Sequence, residues 1–202
     1  MAPDPLDDAV ARLETGDESA FREVYRAIQP PLLRYLTVLV GPVDAEDVAS
    51  EAWAQALRDL DRFSGNADGF RGWVTTIGRH RALDHLRRRQ RQPQVEGDLE
   101  LVHEVPDPKD VEGIALGGIA SDDAIALIGS LPVDQAEAIM LRTVLGFDAP
   151  TAARILGKRP GAVRGASLRG LRALERRLAA EPEKFFRPGR NTSERDDAEG
   201  VT

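Results

Sequence analysis

Residues 148–178, DAPTAARILGKRPGAVRGASLRGLRALERRL, predict two helices joined by one tight turn. Asp148 is a favourable N-cap, and Pro150 falls in the first helical turn, where a missing amide hydrogen is tolerated. Gly157 can adopt the left-handed conformation that ends a helix, and Pro160 then begins the second one. The inward face of this second helix is predicted to carry Val163, Ser167, Leu171, Leu174 and Leu178. The stretch therefore predicts a helix-turn-helix.

The opposite face of the second helix is basic, with Arg169, Arg172 and Arg176 along it and glycines at positions 161 and 165 near its start. The stretch from Lys158 to Arg177 contains seven basic residues and a single acidic one, Glu175. A solvated helix face is the alternative interpretation of such a charge run. Positive charge without acidic partners favours an anionic ligand. The small residues in the first turns of the second helix suit its entry into a DNA major groove.

Composition favours an all-α protein without enzymatic chemistry. Hydrophobic residues make up 42% of the 202 residues, enough for a core in each of one or two domains. The absence of cysteine excludes disulfides and cysteine-ligated zinc fingers. His80, His85 and His103 lack a nucleophile-and-base arrangement, so we expect no enzyme and no cofactor.

The start MAPDP lacks a secretion signal and no apolar run is long enough to span a bilayer, so we expect a cytoplasmic protein without membrane insertion.

Charge is segregated along the chain. The net charge of −7 argues against a protein that coats nucleic acid non-specifically. The span Arg79–Arg91 holds six arginines against one acid, whereas Gln94–Glu112 holds seven acids against one lysine. This separation indicates different surfaces for different partners.

The first half of the chain predicts four helices. A short one covers Leu6–Leu13, and Asp17 caps a longer one that we expect to kink or break at Pro30-Pro31 and to end at Gly41-Pro42. The next helix is apolar on one face and carries Asp44, Glu46, Asp47 and Glu51 on the other. Those acids either complement the helix dipole or contact a basic partner, and the two interpretations are compatible.

A polar loop at 63–69 precedes a helix predicted from Phe70 to about Arg91. Trp73 on this helix is either a core residue or a platform for an unpaired base. The predicted organisation is a helical domain at 1–91, an acidic flexible linker at 92–120, a helix-turn-helix domain at 121–180 and a disordered tail at 181–202.

Three segments in this order resemble the extracytoplasmic function sigma factors of bacterial RNA polymerase, within the sigma-70 family. They are DAEDVASEAWAQAL at 44–57, FRGWVTTIGRHRALDHLRRR at 70–89 and SLPVDQAEAIMLRTVLGFDAPTAARILGKRPGAVRGASLRGLRAL at 130–174. The resemblance implies that the chain directs promoter recognition, DNA melting and transcription initiation. It also implies that the linker passes through the polymerase cleft, and that an anti-sigma factor controls activity.

The resemblance also implies site residues. Acids at Asp44, Glu46, Asp47 and Glu51 would contact the clamp helices of the largest polymerase subunit. The loop and basic helix would bind the minus-ten element through Ser64, Asn66, Asp68, Trp73, Arg79, His80, Arg81, Asp84, Arg87 and Arg88. The helix-turn-helix would bind the minus-thirty-five element through Lys158, Arg159, Arg164, Arg169, Arg172 and Arg176, with the flap of the second polymerase subunit as a further partner. Arg164 is expected to contact a base and the later arginines to contact phosphates.

The chain departs from the family pattern at His80, where asparagine is frequent, and at Gly165-Ala166-Ser167. An alternative function is a helix-turn-helix regulator that binds operators as a homodimer without polymerase. That alternative leaves the acidic face at 44–51 and the basic helix at 73–91 without a role.

Overall fold

The computed structural model describes residues 6–13, 15–91 and 122–180. The regular structure in these ranges is helical, which confirms the all-α prediction. None of the helices found there combines the length and the apolar character needed to cross a bilayer. Our predictions for the linker at 92–120 and the tail at 181–202 lie outside the described residues.

The first domain contains α1 (Leu6–Leu13), α2 (Glu18–Val40), α3 (Pro42–Arg58) and α4 (Ala67–Arg91), with a 3-10 turn at Leu60–Arg62. The predicted cap is confirmed, because an Asp17 carboxylate oxygen accepts the amide hydrogens of Ser19 and Ala20 at 2.8 and 3.2 Å. Gly41 ends α2 with a φ of 86°, in the region that glycine tolerates best. Helix α4 begins three residues before the predicted start at Phe70.

Of the kink or break predicted at Pro30-Pro31, the break does not occur, because α2 continues through both prolines. Each proline removes one backbone hydrogen bond, to the carbonyls of Arg26 and Ala27 respectively. Both of those residues are exposed, so water can bind the two carbonyls in place of the missing donors. Packing of α2 against α3 and α4 then holds the helix together across the prolines.

Helices α2, α3 and α4 pack around one core whose most deeply buried side chains include Leu32, Tyr35, Leu36 and Phe70. Gly78 lets α4 approach its neighbours, since a Cβ atom there would lie 3.1 Å from Leu32 Cδ1. Six aromatic rings form a connected cluster at one end of this core: Phe21, Tyr25, Trp53, Phe63, Phe70 and Trp73. This cluster fixes the start of α4 and the loop before it.

The second domain contains α5 (Asp122–Gly129), α6 (Val133–Ile139), a π-helical turn (Met140–Val144), α7 (Ala149–Leu156) and α8 (Pro160–Ala180). The predicted helix-turn-helix is confirmed in α7 and α8. Asp148 caps α7 by accepting the Thr151 amide hydrogen at 2.8 Å, and Gly157 ends it with a φ of 64°. The carboxylate accepts that amide and the Thr151 hydroxyl, which together lower the pKa of Asp148.

The inward face of α8 differs from the prediction. Leu171 was expected inside but is 44% exposed, and Leu168 beside it is 50% exposed. The prediction is confirmed for Val163 and Ser167, which are buried, and Ala166 and Gly170 are buried beside them. A Cβ atom at Gly170 would lie 2.6 Å from Ile139 Cδ1, so the helix presents its smallest residue where α6 comes closest. Sequence periodicity could not identify a glycine as the centre of the contact.

The two domains pack against each other. Helices α5 and α6 contact α2, and α7 contacts α4. This contact, which we call the interdomain seam, places the start of the helix-turn-helix beside the basic helix of the first domain.

Candidate nucleic-acid and polymerase interface

The outer face of α8 carries four exposed arginines, Arg164, Arg169, Arg172 and Arg176. None of them belongs to an ion pair among residues 6–13, 15–91 and 122–180. Two other basic residues have partners: Lys158, before α8, pairs with Asp134, and Arg177, in the last turn of α8, donates to the Ser130 hydroxyl. The four arginines therefore form a solvent-facing stripe of uncompensated charge, and Arg159 is exposed at the turn before it.

Helix α3 does not present its four acids in the same way. Asp44 Oδ2 lies 2.8 Å from Arg89 Nη1, and Glu51 pairs with Arg88 at 3.5 Å. Both acids thus hold the end of α4 against α3. Glu46 and Asp47 are exposed, and neither forms an ion pair with another of the described residues.

The basic residues of α4 fall into two groups. Arg81 is engaged within the first domain, donating twice to the side-chain oxygen of Gln55 at 2.9 and 2.6 Å. His85 Nε2 is buried 3.1 Å from an Asp44 oxygen, but the two atoms are not aligned for a hydrogen bond. His80, Arg87 and Arg88 remain exposed, although Arg87 pairs locally with Asp84 at 3.0 Å.

The loop before α4 is held from both sides. Asn66 Oδ1 accepts the Gly69 amide hydrogen at 3.0 Å, and Asp7 of α1 accepts the Ala67 amide hydrogen at 2.9 Å. Asn66 is therefore the cap of α4, and its side-chain oxygen is already in use. Ser64 is exposed, and Asp68 pairs with Arg71 at 3.0 Å.

Trp73 is half-buried in the aromatic cluster. Its ring stacks on Phe63 with centroids 5.2 Å apart and an interplanar angle of 28°. The stack gives Trp73 the packing role that aromatic side chains most often have, and it leaves part of the ring at the surface near the loop.

Arg79 is the predicted DNA-binding residue whose position differs most from expectation. Its side chain is 15% exposed, and its Nε donates to Glu137 Oε1 at 2.7 Å. Burial disfavours the charged form, but the hydrogen bond and the charge of Glu137 outweigh it, so the pKa of Arg79 is raised. The same carboxylate accepts a hydrogen bond from the Tyr35 hydroxyl at 2.9 Å, and burial and then the Glu137 charge raise the pKa of Tyr35.

Sequence reasoning missed Glu137 and Tyr35. Glu137 interrupts an otherwise apolar run, AEAIML at 136–141, and an acid in such a run indicates either a helix edge or a buried ion pair. That signal was present in the sequence, but its partners lie 58 and 102 residues away.

Comparison with known proteins agrees with this architecture. The family model of Sigma-70 region 2 matches residues 24–92, and that of Sigma-70, region 4 matches residues 121–174. The ECF RNA polymerase sigma factor SigD of Mycobacterium tuberculosis is 30% identical over 185 residues, which cover 89% of this chain and 87% of SigD. The ECF RNA polymerase sigma factor BldN of Streptomyces coelicolor is 30% identical over 174 residues, and the match spans 85% of this chain but only 65% of BldN.

Two solved structures share the fold. The sigma factor RpoE from Bartonella quintana, in complex with the anti-sigma factor NepR, has a TM-score of 0.64 at 24% identity and covers 80% of this chain and 98% of its own. CnrH, in complex with the cytosolic domain of CnrY, has a TM-score of 0.60 at 21% identity and covers 87% and 99%. Since both sigma regions match in order and SigD aligns over nearly its whole length, this chain belongs to the extracytoplasmic function sigma factors of bacterial RNA polymerase.

Proposed function

We propose that this chain binds core RNA polymerase and uses its two domains to recognise two promoter elements. The observation that carries the proposal is the arginine stripe of α8, on the outer helix of a region 4 domain, which forms no ion pair with any residue of 6–13, 15–91 and 122–180. Unpaired positive charge on a helix that follows a tight turn is suited to phosphates and base edges in a major groove.

Glu46 and Asp47 are the acids on α3 best placed to contact the clamp helices of the largest polymerase subunit. Both are exposed, and neither is neutralised by a neighbour among the described residues. Asp44 and Glu51 have a different part in this proposal, because they pair with arginines near the end of α4. They orient the basic helix relative to the docking surface.

The minus-ten element is the proposed ligand of α4 and of the loop before it. His80, Arg87 and Arg88 are exposed and can reach a separated strand. Asn66 uses its side-chain oxygen as a cap, so its amide nitrogen is the group that would contact a flipped base. Melting then requires no chemistry, because preferential binding of the separated strand offsets the cost of unpairing.

The minus-thirty-five element is the proposed ligand of α8. Arg164 lies near the leading end of the helix, where a guanidinium can donate two hydrogen bonds to a guanine edge. Arg169, Arg172 and Arg176 follow along the exposed face and are suited to phosphates. The exposed Leu168 and Leu171 offer an apolar contact to the flap of the second polymerase subunit.

An anti-sigma factor is a further proposed partner. RpoE from Bartonella quintana was solved with the anti-sigma factor NepR, and its fold resembles the present one. A protein that binds the free chain tightly and prevents its association with core polymerase would fit this role.

Run-off transcription with purified core polymerase tests the proposal. We expect specific initiation only when both the chain and core enzyme are present. Reversing charge at Glu46 and Asp47 should weaken core binding at least tenfold, because each change removes an attraction and adds a repulsion. Asp61→Lys is the matched control, since Asp61 is an exposed acid of the same domain outside α3. A homodimer that binds specific duplex tightly without core enzyme would support the operator-binding function instead.

A further inference from the structure

Helix α1 reaches the loop before α4 through one side chain. The Oδ1 atom of Asp7 accepts the amide hydrogen of Ala67, the first residue of α4, at 2.9 Å and from 60 residues earlier in the chain. Ala67 is fully buried, so its amide depends on this acceptor rather than on water. A buried amide without a partner is unfavourable, and the contact therefore fixes the residue at which α4 begins.

Helix α1 is itself held in place, so the position of the Asp7 carboxylate is set by packing outside the loop. The helix contacts both α2 and α4. Its buried residues are Ala9, Val10 and Leu13. At its other end, Arg12 Nη1 lies 2.6 Å from a carboxylate oxygen of Asp17, the cap of α2. Asp7 is thus offered to the loop by an element that is fixed at both ends.

The loop has an anchor on each side and an exposed segment between the two anchors. On one side the Phe63 ring stacks on Trp73 with ring centroids 5.2 Å apart. On the other side the anchor is Ala67, through its hydrogen bond to Asp7. Residues 64–66 between them are exposed. A segment of three residues tied at both ends has little conformational freedom, so each anchor limits how the loop presents its polar groups.

The Asn66 side chain depends directly on the second anchor. Its Oδ1 atom accepts the Gly69 amide hydrogen at 3.0 Å, which assigns the amide nitrogen to the solvent side. This cap requires that α4 begins at Ala67, where Asp7 holds it. If the first turn of α4 opened, Oδ1 would lose its partner and the side chain could turn over, exchanging a donor for an acceptor at the surface.

We propose that Asp7 is a positioning residue for the minus-ten element, which acts through residues 64–66 and not by contact with DNA. The role rests on the proposed function, in which this loop receives a flipped base. Helix α1 lies before residues 24–92, to which the Sigma-70 region 2 model matches. Its contribution is to keep the loop in the binding arrangement before DNA arrives, because a pre-organised site loses less conformational freedom on binding.

Removing the acceptor should weaken binding only where the flipped base is involved. If Asp7→Ala leaves the loop in its binding arrangement about one tenth of the time, the apparent affinity falls about tenfold. Asp7→Asn should bind like the wild type, since an amide oxygen can accept the same hydrogen from Ala67. Asp8→Ala is the matched control and should also bind like the wild type, because Asp8 pairs at 3.0 Å with Arg12 of its own helix.

The test uses holoenzyme assembled from the full chain and core polymerase, with minus-ten single strands in which each nucleotide in turn is abasic. On the complete strand, Asp7→Ala should bind about tenfold more weakly than the wild type. At one abasic position the two proteins should bind equally, because the loop then has no base to receive. Weakening by the same factor on every strand would indicate a general loss of structure and would overturn the positioning role.

Hydrogen exchange in the free chain tests the anchor without DNA. The Ala67 amide should exchange roughly tenfold faster in Asp7→Ala than in the wild type or Asp7→Asn, while the Val74 amide in the middle of α4 should not change. Equal exchange of Ala67 in all three proteins would overturn the anchor.

The strand series also separates the positioning role from the proposed function. A wild-type holoenzyme that bound the complete and the abasic strands equally would refute the proposed minus-ten binding, and the role of Asp7 with it. A wild-type preference for the complete strand that Asp7→Ala shared in full would refute the role of Asp7 alone.

Discussion

Gly170 and Gly165 lie on the same helix, and the structure predicts opposite effects for the same substitution at the two positions. Alanine is about 1 kcal/mol more favourable than glycine within a helix. At Gly170 a Cβ atom would also lie 2.6 Å from Ile139 Cδ1 and 3.2 Å from Gln135 Cβ. Ile139 is buried, so its Cδ1 has little room to turn away, and Gln135 Cβ is bonded directly to its backbone, so it can move only with α6.

Overpacking of this kind costs about 1–3 kcal/mol. Subtracting the gain in helix propensity, we expect Gly170→Ala to destabilise the second domain by roughly 1 kcal/mol. At Gly165 the nearest atom is the Arg169 guanidinium at 3.3 Å, the free end of an exposed side chain. Gly165→Ala should therefore stabilise the domain by about 0.5–1 kcal/mol.

Hydrogen exchange of α8 amides in the full chain measures this difference. A gap of about 2 kcal/mol between the variants corresponds to a roughly thirtyfold difference in the opening equilibrium. Trp53 and Trp73 are the two tryptophans of the chain and both lie in the first domain, so fluorescence during urea denaturation reports separately on that domain. If both variants protected α8 equally, α6 and α8 would not be in close contact at Gly170, and our account of the inward face would be refuted.

Two further predictions concern DNA contact and acid stability. Arg164→Ala should change the preferred minus-thirty-five sequence, whereas Arg176→Ala should weaken binding to all sequences and reduce the salt slope by about one unit, as titrations at several salt concentrations would show; equal effects on every promoter would contradict this division of roles. Hydrogen bonds from Ser19 and Ala20, with that from Arg12, lower the pKa of Asp17. The contribution of this carboxylate to stability is therefore fully present above its pKa in the unfolded chain, near pH 4, and is lost as the pH falls through its pKa in the folded protein. Melting temperatures of Asp17→Asn should therefore fall less than those of the wild type on acidification from neutral pH, and parallel curves would exclude a role for this carboxylate.

The features that the sequence predicted well are those set by neighbours in the chain. Asp17, Asp148 and Gly157 were assigned to helix ends, and the structure confirms each of them because a cap depends on a few adjacent residues. The order of the helices and the helix-turn-helix follow from the same local signals. The DNA and polymerase contacts of individual residues stay predictions.

The features that the sequence predicted poorly depend on contacts distant in the chain. Pro30-Pro31 were expected to kink or break α2, but the helix does not break, because elements that periodicity within α2 does not reveal pack against it. Leu171 was assigned to the core because of its apolar side chain, although the closest approach of α6 and α8 requires a glycine one residue earlier. Arg79 was grouped with the other arginines of α4, and nothing near it in the chain indicates a carboxylate of the other domain.

The energetics of the buried contact between Glu137 and Arg79 explain how an ion pair can fix the arrangement of two domains without binding them tightly. Bringing a carboxylate and a guanidinium out of water costs nearly as much as their attraction returns, so a buried ion pair contributes little net stability. Opening the seam rehydrates both groups together, whereas removing one partner leaves the other buried and unpaired. The pair therefore selects one arrangement of the domains without binding them tightly.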